Sequence, residues 1–318
     1  MEYRWSLEKL YKSFEDEKFL EDNKNMPILL DDFILWTKEN ITTLTKENLE
    51  EFLKKNIEIK KSFERLMAFG QLSYTVNVKD ENAKRLIEQC ENLFVKFTEI
   101  EVIFAESLKN TENLENIINS SDFLKEHSFY LLEIKEDTKY MLSKSEELAI
   151  EKIKNTGSRA WSKLQETLTA TLNIEVEVDG EKKTLPLPAI RNLAYEDNQE
   201  TRKSAYYAEL KAYERIDESV ASALNAIKGE AIQETEMRAY DSILSRTLKD
   251  SRIQEKTLAA MLEAMKESLP NFAKFLRKKA ELLGHKNGLP FYDIFAPMGE
   301  ANLTFTEDEA ISFIITNF

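Results

Sequence analysis

Apolar residues recur at three- and four-residue spacing along most of this chain, the pattern of amphipathic helices packed on one another. Trp5, Leu7, Leu10, Tyr11 and Phe14 form a short amphipathic opening. A helical pattern follows from about residue 15 to 40, with a break expected near Asn25 and Pro27 and a dense apolar face at Ile28, Leu29, Leu30, Phe33, Ile34 and Trp36. Thr45 begins a long segment through Leu49, Phe52, Leu53, Phe63, Leu66 and Phe69 towards Tyr74. A second runs from Ala83 through Leu86, Ile87, Cys90, Phe97 and Ile100 to Phe104. The short polar turn between them predicts an antiparallel helical hairpin.

After Lys109 the periodic segments shorten: 113–118, 122–134 and 145–154, then Gly157 and a renewed helix through Trp161, Leu164 and Leu168. The pattern switches to a two-residue period once, at 173–188. There Ile174, Val176 and Val178 alternate with Glu175 and Glu177, Asp179-Gly180 makes the turn, and Thr184, Leu185 and Leu187 return, which predicts a β-hairpin. Its edge offers a place for an extended peptide to add, and a proline at Val176 is the substitution expected to weaken such binding. Asp197 and Glu200 read as a capping box opening a helix through Tyr213 that continues to Gly229 or beyond. A further stretch covers 231–248. Another helix starts at Ser251 and Gln254, and Pro270 begins a last long segment ending at the Gly284–Gly288 turn.

The final helix has its own capping box, Thr306 with Glu309, and an apolar face at Ile311, Phe313 and Ile314. Neither a glycine stop nor a polar exit follows before Phe318, so a truncated polypeptide is expected, with exposed apolar surface around those three residues.

Composition sharpens the class. Only 7 glycines and 6 prolines in 318 residues favour long helices with few connections, and 42% hydrophobic residues suffice for a large core. The expected class is all-α with one small hairpin near 174–187, as two domains. A net charge of −14 disfavours nucleic-acid partners. Cys90 is the single cysteine, so no intramolecular disulfide forms, and its phase marks it as a core residue. No run approaches the ~18 apolar residues of a membrane span. These features point to a cytoplasmic protein.

Catalytic motifs are sparse. Of the two histidines, His127 has no ligand partner at helical spacing, so it reads as structural. Glu281 and His285 are four apart, but Gly284 interrupts and two ligands do not make a zinc site. Phosphate-cradling glycine loops, CxxC pairs and nucleophile elbows are absent. Carboxylates interleaved with lysines, as in EKIK and EKKT, read as solvated helix faces.

Certain blocks resemble the oligoendopeptidase F family of thimet-type zinc metallopeptidases: 5–11 (WSLEKLY), 197–205 (DNQETRKSA), 236–242 (EMRAYDS) and 289–297 (LPFYDIFAP). Residues 304–315 resemble that family's helix entering the second half of the catalytic domain. The resemblance implies a helical, two-lobed, neurolysin-like fold that cleaves short peptides in a channel by zinc-activated water. It divides the chain into an N-terminal helical domain with the hairpin, 1–196, and the first part of the catalytic domain, 197–318. The zinc motif of that family is not in this sequence, so no catalytic or metal-binding residue carries over, and the chain alone is expected to be inactive. Tyr292 and Asp293 stand out as architectural, most simply as a turn anchored by an aspartate. The competing reading is a helical interaction scaffold without catalytic activity. Oligomeric state is not legible.

Overall fold

The computed structural model describes residues 6–299 and 304–318, so Trp5 of the opening block lies outside the described residues. Two compact units emerge, residues 1–168 with 218–254, and residues 169–217 with 255–318.

The first unit is built on α1 (Glu17–Asn40), α2 (Lys46–Val76) and α3 (Glu81–Lys109), with α2 and α3 as the expected hairpin. Thr45 caps α2 in a reciprocal box with Asn48, and Asp80 accepts from two amides at the start of α3. Their apolar faces meet in one core. Phe52 stacks on Phe104 with ring centroids 4.0 Å apart, and Phe63 lies edge-on to Phe97. Tyr11 is buried among Phe19 and Phe69 and donates its hydroxyl to Asp22 at 2.7 Å, so the amphipathic opening does dock on this core. Cys90 is buried, and desolvation pushes its thiol up to about 12, which keeps it inert.

The break expected near Pro27 does not occur, because α1 runs through it. A proline inside a helix costs ~3 kcal/mol. Burying Met26, Leu30, Phe33 and Ile34, at roughly 1.5–3 kcal/mol each, outweighs that cost.

Short helices follow: α4 (Leu114–Asn119), α5 (Asp122–Glu126), α6 (Ser128–Asp137), α7 (Lys144–Lys154) and α8 (Ser158–Ala170). The segment expected as one helix over 122–134 is split at His127. Gly157 has a tertiary reason. Glu230, from α11 (Asp217–Met237), accepts from the first amide of α8 at 2.8 Å and from the Ser158 hydroxyl at 2.6 Å. A Cβ at 157 would lie 2.4 Å from that carboxylate and 3.1 Å from the Ile153 carbonyl. Gly157→Ala is therefore expected to cost about 1 kcal/mol, the usual scale of a lost helix cap. Urea unfolding checks it, and in a Glu230→Ala background the same substitution should cost much less.

In the second unit β1 (Asn173–Val178) pairs antiparallel with β2 (Glu181–Pro186), Val178 opposite Glu181 across the Asp179-Gly180 turn. Ile174, Val176 and Val178 are buried, as their alternation predicts, and α10 (Gln199–Tyr213) packs on β1. Asn198, not Asp197, caps α10 by accepting from Glu200 and Thr201 amides. Residues 214–216 separate α10 from α11, where one continuous helix is expected. Likewise α11 gives way at residue 238 to a turn before α12 (Ile243–Asp250). The short α9 (Leu187–Asn192), then α13 (Glu255–Leu282) and α14 (Glu307–Asn317), complete the α-helices of the described residues. Pro270 lies inside α13 where a boundary is expected. The middle of α13 is exposed, so the carbonyl that the proline leaves without its helical donor lies in a solvent-accessible stretch of the helix. Ile311, Phe313 and Ile314 on α14 are exposed.

Candidate functional site

Three of the four blocks singled out in the sequence, 197–205, 236–242 and 289–297, contribute to two buried charge networks, one in each unit. In the first, Met237 ends α11 and Ala239 adopts a left-handed conformation at φ 56°. This turn aims Arg238 inward. Its Nη1 and Nη2 donate to the two carboxylate oxygens of Glu147 at 2.6 and 2.7 Å, and its Nε donates to Glu234 at 3.1 Å. Glu234 also accepts from Lys154 at 3.1 Å and from Arg246 at 3.1 Å. Tyr240 stacks on Tyr140 with ring centroids 3.9 Å apart and planes within 5°. Cations cover both outer faces of that pair, Lys249 over Tyr140 and Arg246 over Tyr240. Ser242 caps α12 in a reciprocal box with Ser245. Every polar member of 236–242 named here thus has a mechanical task.

Alongside this network lies a cavity of about 440 Å³ lined by Lys60, Glu101, Tyr130, Tyr140, Tyr240 and Arg246 among others. Polar walls with aromatic faces suit a peptide backbone and side chains better than a purely apolar ligand.

The second network centres on Asp293, fully buried at 0% exposure. Arg202 Nε donates to Oδ1 at 2.9 Å and Nη2 reaches it at 2.7 Å, while Nη1 donates to the Glu196 and Asp197 carbonyls at 2.6 and 2.9 Å. Oδ2 accepts from Gln199 at 2.8 Å and from His285 Nε2 at 2.6 Å. The buried Lys279 donates to the Ile294 carbonyl at 2.7 Å. Desolvation, then the nearby Arg202 guanidinium, holds its ammonium below the usual lysine range. The aspartate therefore ties the start of α10, the end of α13 and the 291–296 turn together. Tyr292 faces Tyr206 and Tyr207, and with Tyr206 it lines an aromatic cleft of about 410 Å³ completed by Tyr195, Phe291 and Phe295 with Arg191.

Zinc, implied by the sequence resemblance, does not fit these residues. His285 commits Nε2 to Asp293, and Glu281 turns to Lys278 at 2.9 Å. His127 Nδ1 lies 2.8 Å from the Phe123 carbonyl. Among the described residues no three His, Cys, Asp or Glu converge as a metal-holding group.

The hairpin edge near Val176 is not the open one. Glu177 donates its amide to Ser204 at 3.3 Å, and the Asn173 carbonyl accepts from Arg215 at 2.6 Å, so α10 and the residues after it cover β1's outer side. Backbone alternation turns Val176 towards Lys183 on β2, and a proline there would break the hairpin before it reported on peptide binding. The exposed edge belongs to β2.

Both networks set a pH dependence. Burial alone would raise Glu234, but the charge of Lys154 and hydrogen bonds from Arg246 and Lys154 outweigh it and bring the carboxyl down to about 2. Asp293 is likewise lowered, burial being outweighed by hydrogen bonds from Gln199, His285 and Arg202. A depressed carboxyl contributes stability that is complete above its unfolded value, near 4.5 for a glutamate. That stability is lost as pH falls through the folded value. Glu234 alone is expected to account for roughly 3 kcal/mol between pH 5 and 2. Urea midpoints measured down that range check it, and in Glu234→Gln the slope should flatten.

No helix among the described residues is long and apolar enough to cross a membrane. Comparison with known proteins supplies the family. A family model described as Oligopeptidase F matches residues 110–173, and one described as Peptidase family M3 matches residues 192–315. The oligoendopeptidase F homolog of Lactococcus lactis subsp. lactis is 21% identical over 96% of this chain and 51% of its own length. Oligopeptidase PepF of Bacillus subtilis is 22% identical over 64% of this chain and 31% of its own length. The crystal structure of oligoendopeptidase-F from Enterococcus faecium superposes with a TM-score of 0.74, covering 87% of this chain and 56% of that one at 17% identity. The chain thus spans about half the length of the full-coverage curated relative. With both family models matched in order along it, and the helical fold shared, the chain belongs to the oligoendopeptidase F family of M3 peptidases.

Proposed function

We propose that this chain is the non-catalytic, peptide-facing part of a cytoplasmic zinc-dependent oligoendopeptidase that hydrolyses short peptides. The observation that carries the reading is the fold itself, shared over 87% of the chain with an oligoendopeptidase-F. In this reading 1–196 is the N-terminal domain and 197–318 opens the catalytic domain, in keeping with the M3 match at 192–315. When bound in such an enzyme, zinc supplies an activated water and polarises the scissile carbonyl. The residues described here do not hold it. Their task is to shape surface against a peptide, with the tyrosine-lined cavity of the first unit and the aromatic cleft of the second as the contact areas.

The test is to incubate the purified 318-residue chain with zinc and internally quenched short peptides, and to follow peptide binding by NMR. Binding without cleavage is expected. Zinc-dependent cleavage by this chain alone would overturn the division of labour, and no binding would overturn the peptide-facing role. A second reading, a helical interaction scaffold, draws on the exposed apolar residues of α13 and α14. It predicts capture of a folded protein and indifference to short peptides.

A further inference from the structure

The first unit holds a second cavity, of about 590 Å³, which shares Lys60, Thr98 and Glu101 with the tyrosine-lined one. Lys60 Nζ meets Glu101 Oε1 at 2.9 Å, so a single ion pair belongs to the walls of both. Helix α3 lines the whole length, with Phe94 and Phe97 in the second cavity and Val102 and Ala105 in the first. Around the second, α2 adds Phe63 and Met67, α7 adds Glu151 and α8 adds Arg159. Around the first, α6 adds Tyr130 and the turn after α11 adds Tyr240. The two cavities are thus one groove sunk between helices of the same unit, with the Lys60–Glu101 pair at its waist.

Its two ends differ in chemistry. The first is aromatic and acidic, with Tyr130, Tyr140 and Tyr240 beside Asp137 and Asp250. Its arginines are committed, Arg238 to Glu147 and Glu234, and Arg246 to Glu234. Asp137 is paired with Lys249. Asp250 is held loosely, 3.9 Å from Arg246 Nε with its side chain 64% exposed, which leaves room for a further cation. The second end is apolar, with the rings of Phe63, Phe94 and Phe97 beside Met67. Arg159 there is spent on Glu151 at 2.6 Å and lies over the Phe94 ring, while exposed Glu64 and Gln71 supply a polar edge.

We propose, building on the peptide-facing role above, that one extended peptide lies along this groove, with a basic side chain in the first cavity and a bulky apolar one in the second. The tyrosines and Asp250 attract the cation, and the phenylalanines and Met67 take the apolar group. Spacing follows from α3. From Phe94 and Phe97 to Val102 and Ala105 the helix advances eight residues, about 12 Å. An extended chain covers that in about four residues, which also returns both side chains to the same face.

Methionine-methyl NMR on the 318-residue chain tests it, because Met67 lines the second cavity and Met141 the first. Met67→Leu and Met141→Leu assign the two signals. The probes are acetylated, amidated heptapeptides of serine carrying a lysine and a phenylalanine four positions apart, in either order. One order should shift both methyls together and bind about tenfold tighter than peptides with glutamine for the lysine or serine for the phenylalanine. Equal binding when the two residues are three apart overturns the groove. A peptide that shifts Met141 and leaves Met67 unmoved overturns it too, while the peptide-facing role stands. No shift at either methyl overturns both. Asp250→Asn, at an exposed position, should bring lysine and glutamine peptides to about equal affinity and keep the Met67 shift. An undiminished preference for lysine in that variant would reject the placing of the basic residue.

Discussion

Arg238→Ala is expected to cost about 3–5 kcal/mol of stability, the scale on which a buried ion pair fails when one partner is removed. The cost arises on the carboxylate side. Glu147 is 8% exposed and would keep only the Leu142 amide, at 2.9 Å, of the hydrogen bonds described for it. Glu234 would retain Lys154 and Arg246. The loss should therefore fall mainly on the junction of α7 with the turn after α11. Urea unfolding gives the magnitude, and hydrogen exchange should show α12 opening first. Arg238→Lys keeps the charge but not the paired geometry, so an intermediate loss is expected. A change below about 1 kcal/mol for the alanine variant would mean that the network does not hold residues 218–254 in place.

Asp293→Ala should be comparably severe, at about 3–5 kcal/mol, because it strips the counter-charge from an arginine that is only 3% exposed. Nη1 of Arg202 would still reach two carbonyls, but Nε and Nη2 would be left buried without a carboxylate. The control is the pair Asp293→Ala with Arg202→Met, which removes both charges and should be less damaging than the single change. Additive losses in that cycle would show that the two side chains act separately. Thermal unfolding of the four proteins decides between these outcomes.

Much of the helical architecture was legible in the residues. The α2–α3 hairpin follows from two long apolar faces with a polar turn between them, and the caps at Thr45 and Thr306 are local chemistry. The β-hairpin was legible to its register, because alternation and Asp179-Gly180 act within a few residues. Errors arose where a local rule met a tertiary one. Proline at 27 reads as a break until the burial of its neighbours is counted, and Asp197 reads as a cap until Asn198 is seen to take the amides. The capping chemistry of a single chain segment cannot decide between adjacent candidates, because both side chains are competent.

The two networks were not legible. Asp293 was marked as the anchor of a turn, and it is one, yet its chief partner lies 91 positions away at Arg202. Arg238 and Glu147 are also 91 apart. Charges on helix faces look alike in sequence, and most of them here are solvated as expected. Which few are buried depends on where the chain returns. The sequence by itself determined most of the secondary structure and the family, since each is written in local spacing or in the order of short blocks. Only the tertiary structure decided that Arg238 and Asp293 are hubs, that Gly157 makes room for Glu230, and that β2 presents the open edge. The physical reason is that periodicity acts over a turn or two, whereas a buried charge is tolerated only where distant segments bring its partner within about 3 Å.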